Sequence, residues 1–199
     1  MTAAFKIGLP PVTDDMATGA AKDIISDTQS KLGFVPNMYR TMANSPGFLS
    51  TYAHGYTAFR ESSGFSAPEQ EVVFLVISRE NGCDYCSAAH SMIADKVAKL
   101  DPKTLTALRN GSPLDDAKLQ ALAVFVSRVF DTRGLITKAE AAAFVAAGYS
   151  ERQILEVVLA VSVKTLSNYS NHIFHNDLDA AFVPYGVQPE GELETVAAE

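Results

Sequence analysis

The chain has 199 residues, of which 47% are hydrophobic, and its 16 basic and 23 acidic residues give a formal net charge of −7 at pH 7. This length and composition suit one domain with a sizeable core. The acidic charge and the lack of a Lys/Arg cluster exclude the basic surface typical of proteins that bind nucleic acids or anionic membranes.

The first fifteen residues contain Pro10-Pro11 and no apolar run long enough for a signal sequence. No stretch of the chain approaches the ~20 apolar residues of a membrane-spanning helix. We therefore expect a cytoplasmic protein with no membrane partner. We also expect a single domain over residues 1–199, with a core at about 16–183 and peripheral arms at 1–15 and 184–199.

The residues between these arms show the start and end signals of helices. Apolar residues recur at helix spacing over 24–32, and Gly33 follows where a left-handed C-terminal cap belongs. Pro36 and Pro46 each suit the first turn of a further helix, because the N–H that proline lacks is not needed there. Two short helices are thus expected up to about Arg60.

Three capping boxes predict further helix starts, at Ser66–Glu69, Thr137–Glu140 and Ser150–Gln153. Asp101-Pro102 is another helix opening. An apolar stripe with steps of three and four residues runs over 119–129. The sequence therefore predicts an all-α protein of about eight helices.

The run Val72–Ile77 is rich in β-branched residues and leaves a second interpretation open, a buried strand. The segment from the capped Ser66 to Asn81-Gly82 is longer than most strands, which favours a buried helix that ends at a glycine.

A possible internal repeat links this run to a later one. The run Val157–Val163 has the same character, and sliding the chain by 84 residues places Val73 on Val157, Ser78 on Ser162 and Tyr85 on Tyr169, with Cys83 and Cys86 on serines. The pattern predicts a repeat of helical hairpins with chemistry in the first copy only. The alternative is two unrelated buried helices of similar composition.

The two cysteines, Cys83 and Cys86, are three residues apart, and a disulfide there closes too short a loop to stabilise a fold. A close pair in a reducing compartment indicates redox chemistry. Both are expected in the first turn of a helix running to about Leu100, whose dipole favours a thiolate. His90 follows Cys86 by one turn on the same face. Cys86 is thus the better-placed nucleophile and Cys83 the resolving thiol.

A zinc site is the alternative use of two cysteines, but it needs four ligands and only His90 is near. The remaining histidines have no supporting spacing; they are His54, His172 and His175. No metal site is therefore expected. From spacing alone, Glu71 is a first-turn partner of the helix dipole.

The pattern Glu-x11-Cys-x2-Cys-x3-His at residues 71–90 resembles the core motif of the AhpD-like, carboxymuconolactone decarboxylase-type proteins. The segments 32–37 and 166–172 resemble flanks found in the peroxidase-related, alkylhydroperoxidase-like branch of that family. The resemblance covers about 32–182. It implies an AhpD-like helical bundle and a homo-oligomer, as a dimer, trimer or hexamer.

The resemblance also implies reduction of hydroperoxides by a cysteine pair without a cofactor, with a dithiol or a protein as reductant. It makes Cys86 the peroxidatic thiolate, Cys83 the resolving thiol, His90 the proton relay and Glu71 the base behind it. A carboxylate held against His90 would favour the imidazolium and so the thiolate. Tyr85 stands where the characterised alkyl hydroperoxidase has a histidine, and its hydroxyl can support the site by donating a hydrogen bond.

The leading hypothesis is a thiol-dependent peroxidase. A thioredoxin-like thiol-disulfide oxidoreductase is an alternative if Val72–Ile77 is a strand. A redox-sensing scaffold without peroxide turnover is the non-enzymatic alternative.

Overall fold

The computed structural model describes residues 4–186, and within them all regular secondary structure is helical. Its nine α-helices are α1 (Gly19–Leu32), α2 (Asn37–Met42), α3 (Pro46–Ser62), α4 (Ala67–Glu80), α5 (Asp84–Lys96), α6 (Pro102–Asn110), α7 (Ala117–Thr132), α8 (Lys138–Ala146) and α9 (Glu151–Phe174). A short 3-10 turn follows at Val183–Tyr185. The predicted all-α class is confirmed.

Local capping signals place most helix ends. The three capping boxes are present: Ser66 donates its backbone N–H to Glu69 (2.8 Å), Thr137 to Glu140 (2.7 Å) and Ser150 to Gln153 (2.9 Å). At the end of α1, Gly33 adopts the left-handed φ of 79°. These ends follow from the sequence because both partners of each contact are neighbours in the chain.

Two predicted boundaries are wrong. Helix α5 ends at Lys96, not near Leu100, because Lys99 turns to a φ of 54° and the Leu100 N–H bonds back to the Ala94 carbonyl. Helix α3 is a long helix of 17 residues where a short one was expected, since no residue after Pro46 interrupts it.

Helix α4 lies at the centre of the packing and contacts α5, α6, α7 and α9. Every residue from Glu69 to Ser78 is buried, which explains why Val72–Ile77 shows no polar face. The strand interpretation is wrong, and the thioredoxin-like alternative that depended on it falls.

Helix α9 is one continuous helix of 24 residues, so the predicted hairpin repeat is wrong in its second copy. The first copy breaks at Asn81-Gly82, where Gly82 has a φ of 64°. The aligned positions in α9 contain no glycine, and Ser167 and Ser170 continue the helix. Among the helices of residues 4–186, α9 contacts α2, α3, α4, α5, α7 and α8.

The N-terminal arm packs along the helices as extended chain. Ile7 donates to the Ile173 carbonyl and Val12 to the Arg40 carbonyl, each at 3.0 Å. Residues 1–3 and 187–199, which belong to the two predicted arms, lie outside the described residues, and the single-domain organisation stays a prediction. Within 4–186, no helix has the length and apolar character needed to cross a membrane.

The crossing of α3 over α9 depends on Gly55. A Cβ at this position would lie 2.8 Å from Cγ2 of Val163, a buried and stiff side chain. We expect Gly55→Ala to lower the free energy of unfolding by about 1–3 kcal/mol through overpacking. Urea denaturation measures this change.

The matched control is Gly47→Ala, in the exposed first turn of the same helix, where an added Cβ meets nothing within 4 Å. It is expected to leave stability unchanged or slightly raised. Equal behaviour of the two variants would contradict the close approach of α3 and α9.

Candidate active site

The break between α4 and α5 positions both cysteines at one helix start. Cys83 is the N-cap residue of α5 and donates its backbone N–H to the Ser78 carbonyl at 2.9 Å. Cys86 follows in the first turn. Both side chains are buried, at 1% and 2% exposure, and the thiols are not joined in a disulfide.

A single amide contacts both sulfur atoms. Nδ2 of Asn171, on α9, lies 3.3 Å from Sγ of Cys86 and 3.9 Å from Sγ of Cys83. Its Oδ1 accepts a hydrogen bond from Asn176 at 2.7 Å, which fixes the orientation of the amide. The donor end of Asn171 therefore faces the thiols and favours negative charge on sulfur.

The two thiols ionise unequally. Burial alone would raise the pKa of Cys86, but a hydrogen bond from Cys83 and the charge of Lys164 hold that pKa well below its usual value, with further contributions from His90 and Ser167. The hydrogen bond to Cys86 and burial raise the pKa of Cys83. The site therefore favours one thiolate, located on Cys86.

Glu71 and His90 lie together in the core, as the resemblance implied. Nδ1 of His90 is 2.9 Å from Oε2 of Glu71. The second oxygen of Glu71 forms an ion pair with Arg60 at 2.5 Å, and the carboxylate is fully buried. Burial opposes ionisation of Glu71, but His90 and Arg60 together lower its pKa below the ordinary value.

The predicted imidazolium is wrong, because burial and the charge of Lys164 lower the pKa of His90 to about 4. Glu71 raises the pKa of His90, but the negative charge of Glu71 is shared with Arg60 through their ion pair. An ionised carboxylate only accepts hydrogen bonds, so Nδ1 of the neutral ring carries the hydrogen. Nε2 of His90 is then left as a base, one turn along α5 from Cys86.

Sequence reasoning missed a buried polar stripe on α9, formed by Lys164, Ser167, Asn168 and Asn171 at helix spacing. Lys164 is 1% exposed, and its Nζ has no hydrogen-bond acceptor among residues 4–186. The available signal was a lone lysine inside a long apolar run. Arg60 was also missed, and no local pattern marks it.

The hydroxyl of Tyr85 is hydrogen-bonded to groups other than the sulfur atoms. Its hydroxyl donates to Asp179 and accepts a bond from the backbone N–H of Met38 at 3.4 Å. Asp179 also accepts the backbone N–H of Asn37 at 3.1 Å, and burial together with Asp179 raises the pKa of Tyr85. Tyr85 thus connects α5 to the start of α2 and the C-terminal segment.

Access to the thiols is on the Cys83 side. A cavity of about 420 Å³, open to solvent, is lined by Cys83 together with Arg79, Ser87 and Arg109, and Cys86 is not part of its described wall. Of the two cysteines, Cys83 is the one that borders this cavity.

Comparison with known proteins finds likeness in structure. No family model matches the chain, and no curated protein sequence matches it. A peroxidase-related protein from Ralstonia eutropha JMP134, described as an alkylhydroperoxidase AhpD core, is 20% identical with a TM-score of 0.79, covering 87% of this chain and 93% of its own. A peroxidase-related protein from Silicibacter sp. TM1040 is 22% identical with a TM-score of 0.74, covering 91% and 95%.

A third solved structure carries a different activity. A cysteine-to-alanine variant of the debrominase Bmp8, in complex with 2,3,4-tribromopyrrole, is 16% identical with a TM-score of 0.75, covering 92% of this chain and 97% of its own. The chain therefore has the AhpD-like helical fold, which confirms the fold that the resemblance implied. The same fold supports more than one activity.

The depressed pKa of His90 makes stability depend on pH. Between the ordinary value of 6.5 and about 4, the unfolded chain binds a proton that the folded chain does not, so stability falls as the pH falls. We expect this residue to contribute a loss of about 3 kcal/mol between pH 7 and pH 4. His90→Gln should reduce the measured loss by about that amount in urea denaturation at both pH values.

The control for this measurement is His54→Gln at an exposed histidine, which should keep the wild-type loss because His90 is retained. A His90→Gln variant with the full wild-type loss on acidification would contradict a neutral, buried His90.

Tyr85→Phe separates a structural from a chemical role of this residue. Loss of the hydroxyl leaves Asp179 without one partner, so we expect stability to fall by about 1–3 kcal/mol. The thiolate absorbance at 240 nm should titrate as in the wild type. Tyr169→Phe, at a half-exposed tyrosine, is the control. A shifted thiolate titration at unchanged stability would instead make Tyr85 a partner of the sulfur atoms.

Proposed function

We propose that the protein is a thiol-dependent peroxidase that reduces hydroperoxides through Cys86 and Cys83. The contact of the Asn171 amide with both sulfur atoms carries the proposal, because it places the sulfur atoms of Cys83 and Cys86 side by side at the start of α5, where both cysteines are free. The thiolate preference of Cys86 and the fold likeness to peroxidase-related proteins support it.

The first step is attack of the Cys86 thiolate on a peroxide oxygen. A sulfur–oxygen bond forms and the O–O bond breaks, which leaves a sulfenic acid on Cys86 and releases an alkoxide or hydroxide that takes up a proton. The peroxide is reduced by two electrons, and the sulfur is oxidised by two.

The second step is closure of the disulfide. The Cys83 sulfur attacks the sulfenic sulfur while its proton passes through Nε2 of neutral His90 toward the departing oxygen. The S–S bond forms as the S–O bond breaks, and the departing hydroxide takes the proton from His90 to leave as water. Glu71, held by Arg60, keeps the His90 ring oriented throughout.

The third step is reduction of the disulfide by a dithiol or a protein thiol. Since Cys83 lines the open cavity, its sulfur is the one attacked, and Cys86 leaves as the more stable thiolate. A dithiol supplies two electrons and becomes a disulfide, so the net reaction is peroxide plus dithiol to alcohol, water and disulfide.

Reductive dehalogenation is a second candidate, supported by the fold likeness to the debrominase Bmp8. The same cysteine pair would supply two electrons, a proton would replace bromine on the ring, and bromide would leave. A redox-sensing scaffold is the non-enzymatic candidate, in which the disulfide forms without turnover.

The assembly and location implied by the resemblance stay predictions. Helix α9 exposes Leu155 at 71% and Tyr169 at 51%, apolar surface that suits a contact between subunits of a homo-oligomer. Light scattering of the purified chain measures the assembly, and fractionation of cells measures the cytoplasmic location.

The cysteine variants test the peroxidase. With hydrogen peroxide or cumene hydroperoxide and excess dithiothreitol, we expect steady turnover in the wild type and none above background in Cys86→Ser. Cys83→Ser should form one sulfenic acid per chain, trapped by dimedone on Cys86, and His90→Gln should lose about 100-fold or more in rate.

Each cysteine variant is the other's control. Equal peroxide consumption by the wild type and Cys86→Ser contradicts the peroxidase, and a sulfenic acid on Cys83 overturns the order of the two thiols. Parallel assays with 2,3,4-tribromopyrrole measure bromide release. Bromide release without peroxide turnover would favour the second candidate, and absence of both would favour the scaffold.

A further inference from the structure

Lys164 places an amino group in an environment that ordinarily excludes its charged form. It projects from the middle of α9, is 1% exposed, and its Nζ lies 5.5 Å from the centre of the Phe74 ring with no hydrogen-bond acceptor in the described part of the chain. A buried charge without an opposite charge costs several kcal/mol. The ring alone supplies about 2 kcal/mol at most. An anion near Lys164 offsets this cost.

The charged neighbours narrow the identity of this anion. Glu71 is committed to Arg60 at 2.5 Å and to His90 at 2.9 Å. The titratable groups that face Cys86 or His90 are Tyr52, Tyr56 and Arg60 on α3, Glu71 on α4, Cys83, Tyr85 and His90 at α5, and Lys164 on α9. Within this set Lys164 acts on Cys83, Cys86 and His90, and of these three groups only a cysteine can become an anion.

The two sulfur atoms are not equivalent partners. Asn171, two turns along α9 from Lys164, places its amide nitrogen 3.3 Å from Cys86 and 3.9 Å from Cys83. The polar stripe of α9 is therefore directed at Cys86. Of the charged groups that lower the pKa of Cys86, Lys164 contributes more than His90.

We propose that Lys164 is the fixed counter-ion of the Cys86 thiolate and the positioning residue that determines which of the two cysteines ionises. This role of Lys164 deepens the proposed function. It rests on that function only in that the thiolate is the group that attacks the peroxide. It concerns the resting ionisation of Cys86, which is measured without any peroxide.

A redox consequence follows. Reduction of the Cys83–Cys86 disulfide takes two electrons and one proton and yields the Cys83 thiol and the Cys86 thiolate. An ammonium beside that thiolate stabilises the reduced form, so it makes the disulfide more oxidising. Removing Lys164 should shift the exchange equilibrium with a dithiol buffer toward the disulfide by about tenfold or more, which is about 30 mV.

The decisive experiment is a pH titration of thiolate absorbance at 240 nm on the reduced full chain, with Cys86→Ser as the baseline. In Lys164→Met, we expect the Cys86 transition to move up by at least about one pH unit. Lys164→Arg, which retains a cation, should restore most of the shift. Lys96→Met, at an exposed lysine on the cysteines' own helix, is the matched control and should titrate as wild type.

A second readout is the titration of His90. Because Lys164 lowers the pKa of His90, its removal should raise that pKa, measured from the imidazole resonances by NMR. A general loss of packing would move the titrations of both residues toward their ordinary values, so the arginine variant is required to separate the two explanations. Wild-type titration of Cys86 in Lys164→Met, or no rescue by arginine in a folded variant, overturns the proposal.

A stability cycle keeps the proposal testable if Lys164→Met folds poorly. In Cys86→Ala the thiolate is absent and Lys164 is left unpaired, so adding Lys164→Gln should cost less stability there than in the wild type. Equal costs in both backgrounds would contradict the ion pair. If the wild type turns over no peroxide but Lys164→Met shifts the Cys86 titration, the peroxidase is refuted and the counter-ion is supported. If the wild type turns over peroxide but Lys164→Met leaves the Cys86 titration unchanged, the counter-ion is refuted and the peroxidase is supported.

Discussion

The ion pair between Arg60 and the fully buried Glu71 holds the carboxylate that orients His90 at the site. A carboxylate at this depth persists only with a partner, and Arg60 on α3 supplies it. With its charge engaged there, Glu71 orients His90 through a hydrogen bond without making the ring a cation. His90 is thereby available as a neutral base, and the positive charge near the thiols comes from α9.

The two cysteines differ because three helices surround them unequally. Cys86 meets the amide of Asn171 and the charge of Lys164, whereas Cys83 is held as a thiol by its hydrogen bond to Cys86 and lines the open cavity. This division suits a two-thiol cycle in which one sulfur reacts as the thiolate and the other meets the external reductant. The fold itself is shared with a debrominase, so the activity depends on such details of the site.

Helix α4 makes the arrangement rigid. Its buried residues contact four other helices, and it carries Glu71 near its start and ends at the break that begins α5. Glu71 and the two thiols are thus held in fixed relative positions by α4 and by the turn between α4 and α5. Helix α9 then closes the site from the other side, and its unbroken length places Lys164 and Asn171 on the same buried face.

The sequence by itself determined the features whose partners are close in the chain. It predicted the capping boxes, the Gly33 end of α1, the helical state of Val72–Ile77, and the register of Cys83, Cys86 and His90, because caps and helix faces depend on residues three or four positions apart. The AhpD-like fold also followed, through the motif at 71–90.

Only the tertiary structure determined which charged side chains lie beside Glu71, His90 and the thiols. Arg60, Lys164 and Asn171 come from helices distant in sequence, and no local pattern states which of them meets Glu71 or a sulfur atom. The protonation of His90 was therefore predicted wrongly, since it depends on the sum of one carboxylate, one guanidinium, one ammonium and complete burial. The hairpin repeat failed for a related reason: similar composition in two runs does not reproduce the Gly82 turn that separates α4 from α5.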